Sequence, residues 1–87
     1  MRNKLSTKEL ELIRDIDIRY IIGINSSKEK IKISCPFHNE KTPSFMIGPG
    51  NIFKCFGCGV WGTNAIDFVM AGGASFEKAV EELSTYL

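Results

Sequence analysis

Cys35, His38, Cys55 and Cys58 are the residues whose types and spacing could do chemistry. They form two pairs, Cys35-Pro36-Phe37-His38 and Cys55-Phe56-Gly57-Cys58, with two residues inside each pair and sixteen between the pairs. Together they contain every cysteine and the single histidine of the 87-residue chain. Three sulfurs and one imidazole nitrogen at C-x-x-H…C-x-x-C spacing predict a tetrahedral Zn²⁺ site. Two intervening residues let a tight turn aim both side chains at one point. Soft thiolates suit Zn²⁺ and disfavour Mg²⁺ or Ca²⁺. Gly57 and Gly59 bracket Cys58, where a turn around a metal often needs positive φ. Pro36 fixes φ inside the first turn.

Plainer readings exist: three ordinary buried thiols with a surface histidine, or one disulfide with a cysteine left over. Neither accounts for the regular pairing, which leaves no Cys or His unused. Iron is the competing metal, and a His among the ligands weighs against it. With four positions filled the site is closed to water, so the expected zinc, one ion, is structural rather than catalytic. His38-Asn39-Glu40 with Cys55-x-x-Cys58 superficially matches the zinc-deaminase signature. Cys35 would close such a site, and Lys54 stands where that signature has proline.

Length and composition bound the rest. A chain of 87 residues allows one domain with a small core, marginal without the metal. No N-terminal apolar run reads as a signal peptide, and no stretch approaches the ~18 apolar residues of a membrane span. Cysteines used for metal fit a reducing compartment, so a cytoplasmic location is expected. The formal net charge is +1, and exchanging three thiol protons for Zn²⁺ brings it to zero. Any nucleic-acid contact must therefore come from a local patch rather than a global field.

The elements that must position the ligands follow from local signals. Ser6-Thr7-Lys8-Glu9 matches a capping box, predicting a helix over 7–14 with Leu10 and Ile13 inward. Asp15 or Asp17 can cap a second short helix carrying Ile18, Ile21 and Ile22, ended by Gly23. Lys30-Ile31-Lys32-Ile33-Ser34 alternates strictly and predicts a strand that delivers Cys35. Thr42-Pro43 blocks a helix. Residues 44–47 and 52–55 read as strands joined by a turn at Gly48-Pro49-Gly50-Asn51. Gly57 to Gly62 reads as a glycine-rich loop without a phosphate-loop pattern. Thr63 or Asn64 caps a helix with Ile66, Phe68, Val69 and Met70, stopped by Gly72-Gly73. Ser75 caps a last helix in which Phe76, Ala79, Val80, Leu83 and Leu87 follow the helical period. The expected fold class is α+β: a zinc ribbon, a small antiparallel sheet flanked by N- and C-terminal helices. The expected layout is one domain over 1–87, with a helical segment at 5–23, the ribbon at 30–59 and helices at 63–87.

The stretch CPFHNEKTPSF (Cys35 to Phe45), then FKCFGCG (Phe53 to Gly59) and NAIDFVM (Asn64 to Met70), resembles the N-terminal zinc-binding domain of bacterial and phage DNA primases. The Asp15-Ile16-Asp17-Ile18 region and the Ser75-Phe76…Ala79-Val80 segment are similar to flanking helices of that family. The resemblance covers nearly the whole chain. By position it implies Cys35, His38, Cys55 and Cys58 as the four ligands. It implies a role in DNA replication, in the primosome: contact with the single-stranded template that helps choose where an RNA primer starts. The partners it implies are a single-stranded DNA template, the primase catalytic domain and a replicative helicase. Polymerising chemistry would lie in the catalytic domain of the parent primase, a DNA-directed RNA polymerase, so no catalysis is expected from this domain alone. The sequence departs from the family at the turn Ser26-Ser27-Lys28-Glu29, which is usually longer and more basic. It departs again at Val60-Trp61-Gly62-Thr63, usually Gly-Gly-Asp-like.

Between Lys28 and Cys58 there are five lysines and two glutamates. Single-strand binders join a positive groove to stacking side chains. Lys30, Lys32, Lys41 and Lys54 are the candidate phosphate contacts, and Phe45 and Trp61 the candidate stacking residues. Lys28, in a turn, reads as a solvated charge. Of Phe45, Phe53 and Phe56, two are expected to pack inside, and Trp61 could instead cover the zinc loop. The alternative function is a zinc-stabilised protein-interaction module of a replication or mobile-element protein without autonomous DNA binding, which the neutral loaded charge would suit.

Overall fold

The computed structural model describes residues 6–37 and 42–87. Among the described residues four α-helices and four strands follow in the order α1 Thr7–Arg14, α2 Ile18–Ile21, β1 Ile31–Ile33, β2 Phe45–Ile47, β3 Phe53–Cys55, β4 Trp61–Gly62, α3 Ala65–Ala71 and α4 Phe76–Ser84, with a short 3-10 turn at Pro49–Asn51 between β2 and β3. The strands form one antiparallel sheet in the order β1-β2-β3-β4. This is the predicted ribbon with helices at both ends of the chain. Among the described residues no helix is long and apolar enough to cross a membrane.

The helices start where their caps predict. Ser6 accepts the N–H of Glu9, and the Glu9 carboxylate accepts the N–H of Ser6. Asp17 caps α2, Asn64 caps α3 and Ser75 caps α4. Each cap satisfies an N–H that the first helical turn leaves without a partner. The inward stripes differ from expectation at the ends of α4. Ala79, Val80 and Leu83 are buried, but Phe76 and Leu87 are 46% and 62% exposed. They keep the period but lie at the first position of α4 and beyond its end.

Two clusters make the core. One lies under the sheet and joins Ile18, Cys35, Phe45, Ile47, Phe53, Cys55 and Phe68. The other joins Ile13, Ala65, Ile66, Ala79, Val80 and Leu83 among the helices. Asn51 ties the N-terminal helices to the sheet. Its Nδ2 donates to the carbonyls of Ile16 at 2.7 Å and Arg14 at 3.2 Å, and its Oδ1 accepts the N–H of Ile18 at 3.0 Å. Asn51 sits at φ 68°, a region asparagine tolerates better than most residues. Arg19 secures the approach to β1. Its guanidinium donates to the carbonyls of Ser26, Lys28, Glu29 and Ile47.

Two-residue β4 occupies what the sequence indicates as loop. It pairs with β3 through Phe53–Gly62 and Lys54–Trp61. Gly62 allows this strand, because a Cβ there would stand 2.6 Å from both the Phe53 ring and the Asp67 Cβ.

Candidate metal centre and nucleic-acid interface

Strand alternation brings the cysteines together. Phe53 and Cys55 face inward on β3, as do Phe45 and Ile47 on β2. In register, Cys55 stands beside Phe45, and Phe45 beside Ile33. Two residues past β1, Cys35 enters the same cluster. Cys35 and Cys55 are buried and Cys58 is exposed. Their sulfurs lie within 4.8 Å of one another, and Cys35 Sγ is 3.9 Å from Cys58 Sγ. Tetrahedral Zn²⁺ with bonds of about 2.3 Å needs sulfurs about 3.8 Å apart, so the thiols present fit the ion.

The turns are built for thiolates. The N–H groups of Gly57 and Cys58 donate to Cys55 Sγ at 3.3 and 3.4 Å, and the N–H of Phe37 donates to Cys35 Sγ at 3.4 Å. Ser44 Oγ lies 3.5 Å from Cys55 Sγ. The second turn closes through Gly59 N–H on the Cys55 carbonyl at 2.8 Å, with Gly59 at φ +85°. Of the two glycines bracketing Cys58, only Gly59 takes positive φ.

Charge follows this geometry. Burial alone would raise the Cys55 thiol, but the Ser44 hydroxyl, the N–H groups of Cys58 and Gly57 and the Cys58 thiol outweigh it, lowering it to about 6. For Cys35, burial dominates. Together with the neighbouring thiols of Cys55 and Cys58 it outweighs the Phe37 N–H and raises the group to about 11. A divalent ion would offset that cost by fixing all three sulfurs as thiolates. His38, the fourth expected ligand, and Lys41 lie outside the described residues.

The opposite face of the sheet is different in kind. Lys32, Met46, Lys54 and Trp61 stand in one row across the four strands. Lys32 and Lys54 are exposed, Met46 is half-buried, and Trp61 is 68% exposed. Lys30, exposed, immediately precedes β1. Phe56 follows Lys54 by two residues and is 61% exposed, and the Lys54 Nζ sits 5.5 Å from its ring centroid. Among the described residues none of Lys30, Lys32 and Lys54 forms an ion pair with a carboxylate. Among the described residues the face therefore offers cations without carboxylate partners, Lys54 among them leaning on the Phe56 ring, beside the exposed Trp61.

Phe45 is the correction here. It is 0% exposed, and its ring stacks on Phe53 at 5.7 Å between centroids, so no base can reach it. Phe45 and Phe53 are the two phenylalanines that pack inside. Phe56 is the exposed aromatic that the candidate contacts omit. Its signal is in the sequence: inside a C-x-x-C turn, the residue after an inward ligand must point away from the metal. Trp61 stands on the outer face beside its register partner Lys54.

A family model described as the CHC2 zinc finger matches residues 5–87. The DNA primase of Aquifex aeolicus is 45% identical over 83 residues, covering 87% of this chain and 16% of that protein. The DNA primase of Escherichia coli K12 is 42% identical over 76 residues, covering 85% of this chain and 13% of that protein. That of Pseudomonas putida KT2440 is 43% identical over 83 residues, covering 85% and 12%. The crystal structure of the Aquifex aeolicus primase zinc-binding and RNA polymerase domains superposes with a TM-score of 0.71 at 41% identity, over 94% of this chain and 22% of that one. The chain thus spans less than a fifth of the length of these curated primases.

Proposed function

The chain belongs to the CHC2 zinc-finger family, the zinc-binding domain of DNA primases, and from that premise we propose that it recognises single-stranded DNA template for primer synthesis. The observation that carries this is the row Lys32–Met46–Lys54–Trp61 with Phe56 beside it. The lysines supply positive charge for the phosphate backbone, and Trp61 and Phe56 give bases two stacking surfaces. Lys41, which lies between the ligand pairs in sequence, is proposed as a further phosphate contact.

Cys35, His38, Cys55 and Cys58 are the proposed ligands of one structural zinc. Bound there, Zn²⁺ supplies cross-links between the two turns and no open position for catalysis. The protein's own residues do the rest. Cys35 and Cys55 pin the ends of β1 and β3, and the pinned strands hold the outer row in register. The domain acts beside a primase RNA polymerase domain, in the same or another chain, with a replicative helicase as further partner and the cytoplasm as location.

The test is a titration of the zinc-loaded chain with labelled single-stranded oligonucleotides at low and physiological salt, with duplex as control. Fluorescence anisotropy should show single-strand preference and affinity falling as salt rises. Each of Lys30→Ala, Lys32→Ala and Lys54→Ala should reduce the log–log salt slope by about 0.7. Trp61→Ala should cost roughly 5- to 150-fold in affinity at any salt. No binding at low salt with zinc shown to be bound overturns the reading.

A further inference from the structure

Trp61 stands on the shortest strand of the sheet. β4 has two residues, and its pairing with β3 runs through Phe53–Gly62 and Lys54–Trp61. The indole is 68% exposed, so burial of the side chain does not fix it. Its backbone is gripped from the other side, by α3. Gly62 lies so close to that helix that a Cβ would meet Asp67 Cβ at 2.6 Å. Immediately after β4, the N–H of Thr63 donates to Asp67 Oδ2 at 3.0 Å, and the Thr63 hydroxyl lies 3.5 Å from the same oxygen. Asp67 is itself anchored, its own N–H donating to Asn64 Oδ1 at 2.9 Å. One carboxylate thus joins the first turn of α3 to the residue that follows the Trp61 strand. A hydrogen bond to a charged acceptor is stronger than a neutral one, and a two-residue strand has few of its own to rely on.

We propose that Asp67 is a positioning residue for the single-strand face: its grip on Thr63 holds β4 in register and so sets where the Trp61 indole stands beside Lys54. This rests on the reading of the outer sheet face as the nucleic-acid interface. A plainer role for Asp67 is as an acidic residue in the first turn of α3, favourable to the helix dipole. That role alone would change helix stability without moving Trp61.

Trp61 is the single tryptophan, so its emission reports on β4 without a label. In the zinc-loaded chain without DNA, Asp67→Ala should lower the time-resolved anisotropy of Trp61 and raise its quenching by acrylamide. With oligodeoxythymidine, it should weaken binding roughly three- to tenfold, less than the loss of the indole itself. Asp67→Asn keeps an acceptor for the Thr63 N–H and should recover most of both signals, and it keeps the test readable where the alanine variant fails to fold. In a Trp61→Ala background, Asp67→Ala should add no further loss of affinity, because both changes act through one side chain. Unchanged Trp61 anisotropy in Asp67→Ala overturns the proposal, and so does a loss that adds in full to that of Trp61→Ala. If the wild-type chain binds no single strand, the interface reading falls and takes the binding role of Asp67 with it. The emission measurement in DNA-free protein then decides separately whether Asp67 holds β4.

Discussion

The helical cluster around Ala79 and Leu83 is wholly aliphatic, whereas the sheet cluster around Phe45 and Cys55 buries three phenylalanines and two cysteines, and the two sit in elements of unequal length. Helices α1 and α4 run eight and nine residues, each with a side-chain cap, whereas the strands run three, three, three and two. Long capped helices satisfy their own backbone groups, and packing of their apolar stripe completes their stability. Strands this short form few ladder bonds, and a sheet of them needs help. The help is at the ends, where β1 and β3 both run into cysteines. The face proposed to meet DNA therefore lies on the half whose shape depends most on the metal. Binding and metal occupancy should rise and fall together.

The strongest way to break the comparison is to remove zinc. Its apparent binding energy in small zinc peptides, about 10–16 kcal/mol, matches or exceeds the ~5–15 kcal/mol of a whole small domain. Chelation, or Cys55→Ser, should abolish the cooperative thermal transition and the dispersed methyl and aromatic resonances around Phe45 and Phe53. Part of the far-UV helical signal should survive. Retention of the full native spectrum after chelation, with metal shown to be gone, would mean that the sheet half holds itself.

Acid should attack the same half. Protons and zinc compete for the thiolates. Cys55, at about 6, is below its ordinary value of 9.0, so the fold favours its thiolate, and that preference vanishes as pH falls through about 6. Cys35, at about 11, keeps its proton at neutral pH and must release it on loading. Zinc affinity should therefore fall steadily with falling pH and most steeply below about 6, where Cys55 also has to lose a proton. Competition with a chromophoric chelator across pH 5–8 measures this, and a flat profile would contradict it.

Asn51 is the joint between the halves, and a smaller effect is expected there. Losing its side chain strands the N–H of buried Ile18 and two carbonyls of the α1–α2 link. An unsatisfied buried group costs ~1–3 kcal/mol. Asn51→Gly loses the bonds but keeps positive φ easy, whereas Asn51→Ala loses both. Denaturant midpoints should order wild type above the glycine variant and the glycine variant above alanine. Equal midpoints for the two variants would remove the backbone argument.

The same contrast explains what could be read from the chain. Helix positions follow from neighbours in sequence: Ser6 with Glu9, Asp17 before Ile18, Ser75 with its apolar stripe. The metal turns are equally local, since two residues between ligands force a turn. The sheet's outer row is not local. Lys32, Lys54 and Trp61 share it only because of strand register, which depends on pairs far apart in sequence. Trp61 could not be placed from a glycine-rich stretch, because β4 exists through Gly62 fitting against Phe53 and Asp67. Phe45 is buried against expectation for a related reason, since an aromatic residue type does not by itself tell which sheet face the side chain takes. Once Cys55 points inward, its register partner Phe45 must as well.

The smallest effect tests whether the helical half is separable. Ser75 Oγ accepts the N–H of Lys78 at 3.2 Å and so caps α4, which packs Ala79, Val80 and Leu83 against the helical cluster. Replacing a serine cap by alanine costs about 1 kcal/mol. For a domain of this size that corresponds to a fall of roughly 4–8 °C in Tm. No residue of α4 belongs to the sheet cluster, whose buried members come from α2, the strands, Cys35 and α3. Ser75→Ala should therefore lower Tm while leaving the zinc release rate and single-strand affinity at wild-type values. Faster zinc loss in this variant would show that α4 braces the metal turns through α3, and the two clusters would then have to be treated as one cooperative core.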